Sequence, residues 1–180
     1  HTDTLNEEIV YDKMEFLDIN FNYKFYAVLI LKIRDVTSSG FEALTLIKLN
    51  VLEKIDSCLT DKNMQCICSE AIESNDSINI ILNLKSENYS IADNVTSLIK
   101  FIEHEHEVHI NIGIGKTYND LKYIPSSYKD AANCLIYSYI FPETKVFTMK
   151  EVSVWNENKG NKLRQLYDDF CSSMKASDKK

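Results

Sequence analysis

The sequence contains 180 residues, of which 44% are hydrophobic and 26% charged, and its formal net charge at pH 7 is −7. These values are typical of one soluble globular domain with a hydrophobic core of its own. The acidic balance argues against direct DNA binding, because a surface that binds phosphates needs clustered Lys and Arg side chains.

The hydrophobic residues recur with the periods of helices and strands. Apolar residues three or four positions apart predict helices, and short alternating or continuous apolar runs predict strands. In chain order the predicted elements are an N-terminal helix (6–19), a strand apolar on both faces (Phe25–Ile33), a helix (Phe41–Leu59), a hairpin of two strands (Met64–Ser69 and Ile78–Leu84), a helix beginning after Ser90, a strand (Val108–Ile114), a helix (Pro125 to about Tyr139), a short strand (Lys145–Thr148) and a closing helix (Leu163–Met174).

The order of these elements predicts the fold class. The central β-α-β-β-α-β series is the split β-α-β unit of ferredoxin-like folds, here extended by one helix and one strand. We therefore expect an α+β fold, a mixed sheet with flanking helices, and not a doubly wound sheet. We expect an N-terminal helix or linker over residues 1–22, the folded domain over 23–152, and a C-terminal amphipathic helix or linker over 153–180.

The strand before residue 115 and the helix that follows it carry a packing signal. Gly113 and Gly115 leave one face of the strand without side chains, which predicts close approach of another element. The helix that begins near Pro125 is expected to bury five residues against the sheet: Tyr128, Ala131, Ala132, Leu135 and Tyr139.

Location is indicated by the apolar runs and the cysteines. The longest apolar run, residues 26–31, is too short to cross a bilayer, and the N-terminus lacks the pattern of a signal peptide. Five scattered cysteines, an odd number, favour reduced thiols over a disulfide framework. We therefore expect a cytoplasmic fragment without membrane contact.

Two segments have compositions that suggest a metal or phosphate site. Residues 103–109 are rich in His and Glu, but their spacing does not place two histidines on one helix face, which favours a solvated helix end. Residues 113–117 lack the upstream glycine of a phosphate-binding loop. Cys66 and Cys68 point to one face of a strand and are expected to belong to the core. We expect no cofactor and no bound metal.

The passage HINIGIGKTYNDLKYIPSSYKDAANCLIYSYIFPETKVF, residues 109–147, resembles the C-terminal half of degenerate GGDEF-like domains in AraC-type and CdaR-type bacterial transcription regulators. A weaker resemblance extends over Tyr11–Val152, because the order and lengths of the elements also match. The resemblance implies a nucleotidyl-cyclase-like fold built on the ferredoxin-like core.

The hairpin decides what the resemblance implies about activity. Residues 74–78 (SNDSI) fall where active diguanylate cyclases carry Gly-Gly-Asp-Glu-Phe, so that only Asp76 matches. At the end of the first strand, where active cyclases place a magnesium-binding Asp, this sequence has Lys32 and Arg34, followed by Asp35. Cations there repel a metal ion, and phosphoryl transfer depends on metal ions to neutralise the triphosphate. The resemblance thus implies no enzyme activity.

The leading hypothesis is a non-catalytic regulatory module of an AraC-type regulator. Its expected partners are a second copy, an upstream sensor or receiver domain, and a downstream helix-turn-helix domain of the same protein, which alone would contact DNA. The alternative is a sensor domain that binds a nucleotide or other small ligand in the former cyclase cleft through Lys32, Arg34 and Asp76. A third interpretation is a working cyclase with altered metal ligands.

Overall fold

The computed structural model describes most of the chain from the N-terminal helix to Trp155. The described residues are 7–34, 41–61, 63–69, 76–106 and 108–155. The predicted closing helix Leu163–Met174 lies outside them.

The predicted order of helices and strands is confirmed. A further helical stretch, residues 149–155, follows the last strand. The elements are α1 (Glu7–Phe16), β1 (Phe25–Arg34), α2 (Phe41–Leu59), β2 (Met64–Ser69), β3 (Ser77–Leu84), α3 (Ala92–His106), β4 (His109–Ile114), α4 (Ile124–Ile136) and β5 (Val146–Thr148), with short 3₁₀ turns at Leu121–Tyr123 and Tyr137–Tyr139.

The five strands form one sheet in the order β2-β3-β1-β4-β5. The central strand β1 is antiparallel to both β3 and β4, and β3 is antiparallel to β2, as in a ferredoxin-like core. The added strand β5 runs parallel to β4, so the sheet is mixed. The α+β prediction is therefore confirmed, and β1 is apolar on both faces because helices cover both of its sides.

One face of the sheet, which we call the closed face, carries the main core. Side chains from all five strands pack there against α2 and α3, with β5 contributing the partly buried Val146, and Leu29, Leu31 and Leu82 are fully buried. Burying each such side chain stabilises the fold by about 1.5–3 kcal/mol. This core holds α2 and α3 on the sheet.

The opposite face, which we call the α4 face, is only partly covered by the residues that the structure describes. Here α4 packs on β1 and β4 through Val28, Ile30, Ala131 and Leu135. The two glycines of the β4 segment allow this close approach: a Cβ on Gly113 would lie 2.3 Å from the Ala131 carbonyl oxygen, and one on Gly115 would lie 2.0 Å from that of Ser127. The expected close packing at the glycines is confirmed.

The prediction that Tyr128 and Tyr139 are buried on one helix is wrong, because α4 ends at Ile136 and Tyr139 lies in the 3₁₀ turn that follows. Tyr128 is 44% exposed and Tyr139 is 70% exposed, whereas Ala131 is fully buried. The reason is that α4 lies over β1, β4 and β5, so no second layer of the described residues covers the side of the helix that faces β3.

The segment between α1 and β1 is fastened to the sheet by two side-chain amides. Asn83 is fully buried, accepts a hydrogen bond from the Tyr23 amide at 2.9 Å, and donates to the carbonyl oxygens of Tyr23 and Phe25. Its neighbour across the strands, Gln65, donates to the Asn20 carbonyl oxygen at 3.0 Å. The connection that leads into β1 therefore has a fixed path across the sheet.

α1 ends at Phe16, earlier than the predicted Ile19. Asp18 takes a positive φ of 52°, a left-handed conformation that stops a helix and that Asp tolerates better than most residues.

Among the described helices, none combines the length and the apolar character needed to cross a bilayer. The longest, α2, has 19 residues and carries Lys48, Glu53 and Lys54 within it.

Candidate functional site

The candidate site lies on the α4 face, where the end of β1 meets the start of β3. The Ile33 amide donates to the Asp76 carbonyl oxygen at 2.8 Å, and Lys32 is directly opposite Ser77 in the antiparallel register. Residues opposite one another in such a pair share a sheet face, so Lys32 and Ser77 project to the same side. The sheet register thereby brings Asp76 next to the end of β1.

Two of the three predicted site residues, Lys32 and Asp76, form an ion pair. The Lys32 Nζ lies 3.2 Å from the Asp76 Oδ2, and the two side chains are 30% and 48% exposed. A pair this accessible to water contributes at most about 1 kcal/mol to stability. Its main effect is local: the one acidic residue matched to the cyclase motif is neutralised by a lysine.

The third predicted residue, Arg34, is engaged elsewhere. Its guanidinium donates to the Ser138 hydroxyl and lies over the Tyr139 ring, 4.6 Å from the ring centroid. Ser138 is buried and donates in turn to the Leu135 carbonyl oxygen at 2.6 Å. Arg34 therefore joins the end of β1 to the end of α4, and the structure does not place it on Asp76.

A cleft of about 290 Å³ opens between α4 and the β1–β3 pair. It has apolar walls, with Lys32 and two exposed tyrosines among its polar groups, a combination found in small-molecule sites. Its lining residues are Ile30, Lys32, Ser77, Tyr128, Ala132, Leu135, Ile136 and Tyr139.

The side chains at this site do not fit a divalent metal ion. Magnesium binds through carboxylates and other oxygen ligands, and the described residues here offer the single carboxylate of Asp76 with a lysine nitrogen 3.2 Å away. Across the described ranges, no three His, Cys, Asp or Glu side chains come together as metal ligands. Asp35, Ser74 and Asn75, the other positions of the sequence argument, lie outside the described residues.

The wall of the cleft is held in place by polar contacts of α4. The Ser127 hydroxyl accepts from the Val28 amide and donates to the Lys116 carbonyl oxygen, both at 2.8 Å. The Tyr118 hydroxyl donates to Asp130 at 3.1 Å; burial and this hydrogen bond raise the pKa of Tyr118. These contacts fix α4 against β1 and against the loop after β4.

The Cys66 and Cys68 thiols both lie on the closed-face side of β2 and are partly buried, in agreement with the prediction of a core role. Their thiols hydrogen-bond to each other, which lowers the pKa of Cys66 and raises the pKa of Cys68. The Cys66 sulfur also lies 3.3 Å from the Thr60 hydroxyl and 3.7 Å from the Asp56 carboxylate.

Sequence reasoning missed Ser138, Tyr139 and Ser77 as parts of the site. Ser77 could have been predicted, since it lies between Asp76 and the predicted strand Ile78–Leu84. Ser138 and Tyr139 lie about 100 residues from Arg34 in the chain, and no local pattern indicates that contact.

A protein-family profile matches most of this chain. The profile of the GGDEF-like domain family matches residues 2–136, which include every described element from α1 to α4. No curated protein matches the sequence significantly.

Two solved structures show distant likeness. A VAO-type flavoprotein from Myceliophthora thermophila C1 has 11% identity over 56% of this chain and 18% of its own, with a TM-score of 0.31. A candidate aminohydrolase from methicillin-resistant Staphylococcus aureus has 13% identity over 69% of this chain and 41% of its own, with a TM-score of 0.33. The chain spans less than half of either protein, and these scores are too low to support an argument.

The profile match extends over most of the chain, and the α+β fold with its five-stranded mixed sheet and flanking helices is consistent with it. The chain belongs to the GGDEF-like domain family.

Proposed function

We propose that this chain is a non-catalytic signalling module of an AraC-type DNA-binding transcription regulator, whose helix-turn-helix region is not part of this sequence. Membership of the GGDEF-like family indicates a signalling-type module. The proposal that the module is non-catalytic rests on the ion pair between Lys32 and Asp76, at the place where a cyclase needs acidic metal ligands.

The physical argument concerns charge. Joining two nucleoside triphosphates requires divalent cations that neutralise the phosphates and orient the attacking oxygen. Lys32 and Arg34 place positive charge at the end of β1, and Lys32 already neutralises Asp76. A metal ion bound there would have to displace the lysine and would then have one carboxylate ligand from the described residues.

The regulator context is supported by the resemblance of residues 109–147 to domains in AraC-type and CdaR-type proteins. The net charge of −7 fits a module that leaves DNA contact to another domain. An upstream sensor or receiver domain would act on this module through the segment that leads into β1, which Asn83 and Gln65 hold on the sheet.

The catalytic question is tested by incubating the purified chain with GTP and either Mg²⁺ or Mn²⁺, beside an active diguanylate cyclase. We expect neither cyclic dinucleotide nor pyrophosphate from this chain. Product that disappears in the Asp76→Asn variant but persists in the Lys100→Ala variant would overturn the proposal and establish a cyclase with altered ligands.

The regulator context is tested by sequencing the source reading frame past Lys180. We expect roughly 100 further residues with a basic balance and two helix-turn-helix patterns. A frame that continues into an unrelated catalytic domain would remove the assignment to an AraC-type regulator.

A second candidate function is a small-ligand sensor, and the cleft beside α4 favours it. Its volume of about 290 Å³ and its mixed lining would accept a nucleotide base or a similar planar group between Tyr128 and Tyr139, with a phosphate near Lys32. A thermal-shift screen with GTP, ATP and cyclic dinucleotides, with and without Mg²⁺, tests this function. Stabilisation should be lost in Lys32→Ala and kept in Lys100→Ala; no shift with any nucleotide argues against it.

A further inference from the structure

The edge strand β2 has an unusual composition for its position. Strands at the edge of a sheet expose unpaired backbone groups, and proteins commonly protect them with charged residues, proline or bulges. From Met64 to Ser69 the sequence is MQCICS, with no charged residue and no proline, and its pairing with β3 is regular throughout. The opposite edge strand, β5, has only three residues.

The hydrogen-bond pattern shows which backbone groups of β2 point outward. The Lys85 amide donates to the Asn63 carbonyl oxygen at 2.9 Å, so odd-numbered residues of β2 face β3. The backbone groups of Met64 point away from β3, and its amide and carbonyl groups both form hydrogen bonds with the backbone of Asp61. Cys66 and Cys68 therefore direct their backbone groups away from the sheet, and within the described chain these groups have no partner.

We infer that β2 is a homodimer interface, at which two copies pair their β2 strands antiparallel about a two-fold axis at Ile67. In this register Cys66 of each copy is opposite Cys68 of the other, and each pair exchanges both of its backbone hydrogen bonds. The two five-stranded sheets then join into one continuous sheet.

The sequence of β2 is symmetric around Ile67, with a cysteine on either side of it, which argues for a second copy as the occupant. A two-fold axis at Ile67 satisfies the outward groups of both cysteines with their own equivalents, so one short uncharged strand supplies both sides of an isologous interface. The axis also places the two Ile67 side chains opposite each other, in a non-hydrogen-bonded pair with Cα atoms about 4.5 Å apart.

The helix α2 packs over β2 on the closed face. Joining the sheets places α2 from both copies on the same face of the continuous sheet. This inference is independent of whether the cleft beside α4 binds a ligand, because the cleft lies on the other face.

The first test compares Cys68→Pro with Cys68→Ala in the full chain. Proline removes the outward amide and no bond to β3, and edge strands tolerate it, whereas alanine removes only the thiol. Light scattering after gel filtration, over a concentration series, should give a dimer for the wild type and Cys68→Ala and a monomer for Cys68→Pro with unchanged circular dichroism. A wild-type monomer throughout, or a folded Cys68→Pro dimer, would overturn the inference.

A second test does not depend on proline being tolerated. Ile67→Cys is made in a background in which the native cysteines are replaced by serine, except that the buried Cys134 becomes alanine. Two-fold pairing brings residue 67 of one copy to residue 67 of the other, so mild oxidation should give a covalent dimer. Gln65→Cys in the same background should not, since its equivalents lie several residues apart along the strands. Equal cross-linking of both variants, or none for Ile67→Cys, contradicts the proposed register.

Discussion

The two faces of the sheet differ in how completely they are covered. The closed face is packed by α2 and α3 and is almost wholly apolar, whereas among the described residues the α4 face is covered mainly by one helix over β1, β4 and β5. The candidate site, the cleft and the clamp on the α1–β1 segment all lie on the α4 face. In this protein, stability is concentrated on one side of the sheet, and the polar groups available for function are on the other.

The largest expected loss of stability comes from truncating two neighbouring residues of β1, whose side chains point to opposite faces of the sheet. Leu31→Ala removes a fully buried side chain from the closed face, and we expect it to cost about 4 kcal/mol. Ile30→Ala removes a side chain that is 5% exposed beside the cleft, where the surroundings can relax, and should cost about 2 kcal/mol. Urea denaturation measures both. Equal costs would show that the two faces are equally well packed.

Gly115→Ala tests how closely α4 is held. The new Cβ would lie 2.0 Å from the Ser127 carbonyl oxygen, so the helix backbone must move, and we expect a loss of about 3 kcal/mol. Gly115 does not have a positive φ, so the cost reflects packing alone. Lys116→Ala, at the exposed next position, should change stability by less than about 0.5 kcal/mol. A Gly115→Ala protein as stable as the wild type would mean that α4 is not tightly seated.

Asn83→Ala tests the clamp on the segment that precedes β1. It removes three hydrogen bonds from a buried side chain and should cost about 2 kcal/mol, with faster amide exchange around Tyr23. Asn79→Ala is the matched control on the same strand and face, because the buried Asn79 Oδ1 has no hydrogen-bond partner in the structure. The Asn79→Ala variant should have nearly the same free energy of unfolding as the wild type. Similar losses in both variants would show that the amide bonds to Tyr23 and Phe25 contribute little.

The smallest expected effect is a pH dependence at the rim of the closed face. The hydrogen bond from the Tyr89 hydroxyl is the main cause that lowers the pKa of Asp61. A lowered pKa in the folded state adds stability above the ordinary Asp pKa, and this stability is lost as the pH falls through the lowered value. Tyr89→Phe should make the free energy of unfolding fall less between pH 5 and pH 3. We expect a difference from the wild type of about 0.5 kcal/mol or less, because Asp61 is exposed. Parallel urea curves at both pH values measure this difference.

Much of the fold could be predicted from local sequence patterns. The run FYAVLILKI required a strand with both faces covered, and β1 is indeed the central strand. The two glycines near the end of β4 indicated close packing, and the carbonyl oxygens of Ala131 and Ser127 occupy the space that side chains would need. These signals are reliable because each follows from the chemistry of one short segment.

The candidate site was predicted less well, because its contacts join distant parts of the chain. The aligned hairpin placed Lys32 and Asp76 in one cleft but did not predict their ion pair, and the contact of Arg34 with Ser138 depends on where α4 ends over the sheet. The helical period of α4 placed Tyr128 and Tyr139 on its apolar side, and it could not show that this side extends past the strands beneath it. The segment boundaries and the DNA-binding context remain predictions.

The central position of β1 has a consequence for synthesis on the ribosome. β1 is made before all of its neighbours, and roughly 75 residues separate its end from the start of β4, which corresponds to about 4–15 s of translation. At least one edge of this ten-residue apolar strand is unpaired throughout that interval, and both edges are unpaired until β3 emerges. The nascent chain is thus most prone to aggregate before β4 emerges, and its yield should depend on chaperones that bind early translation intermediates.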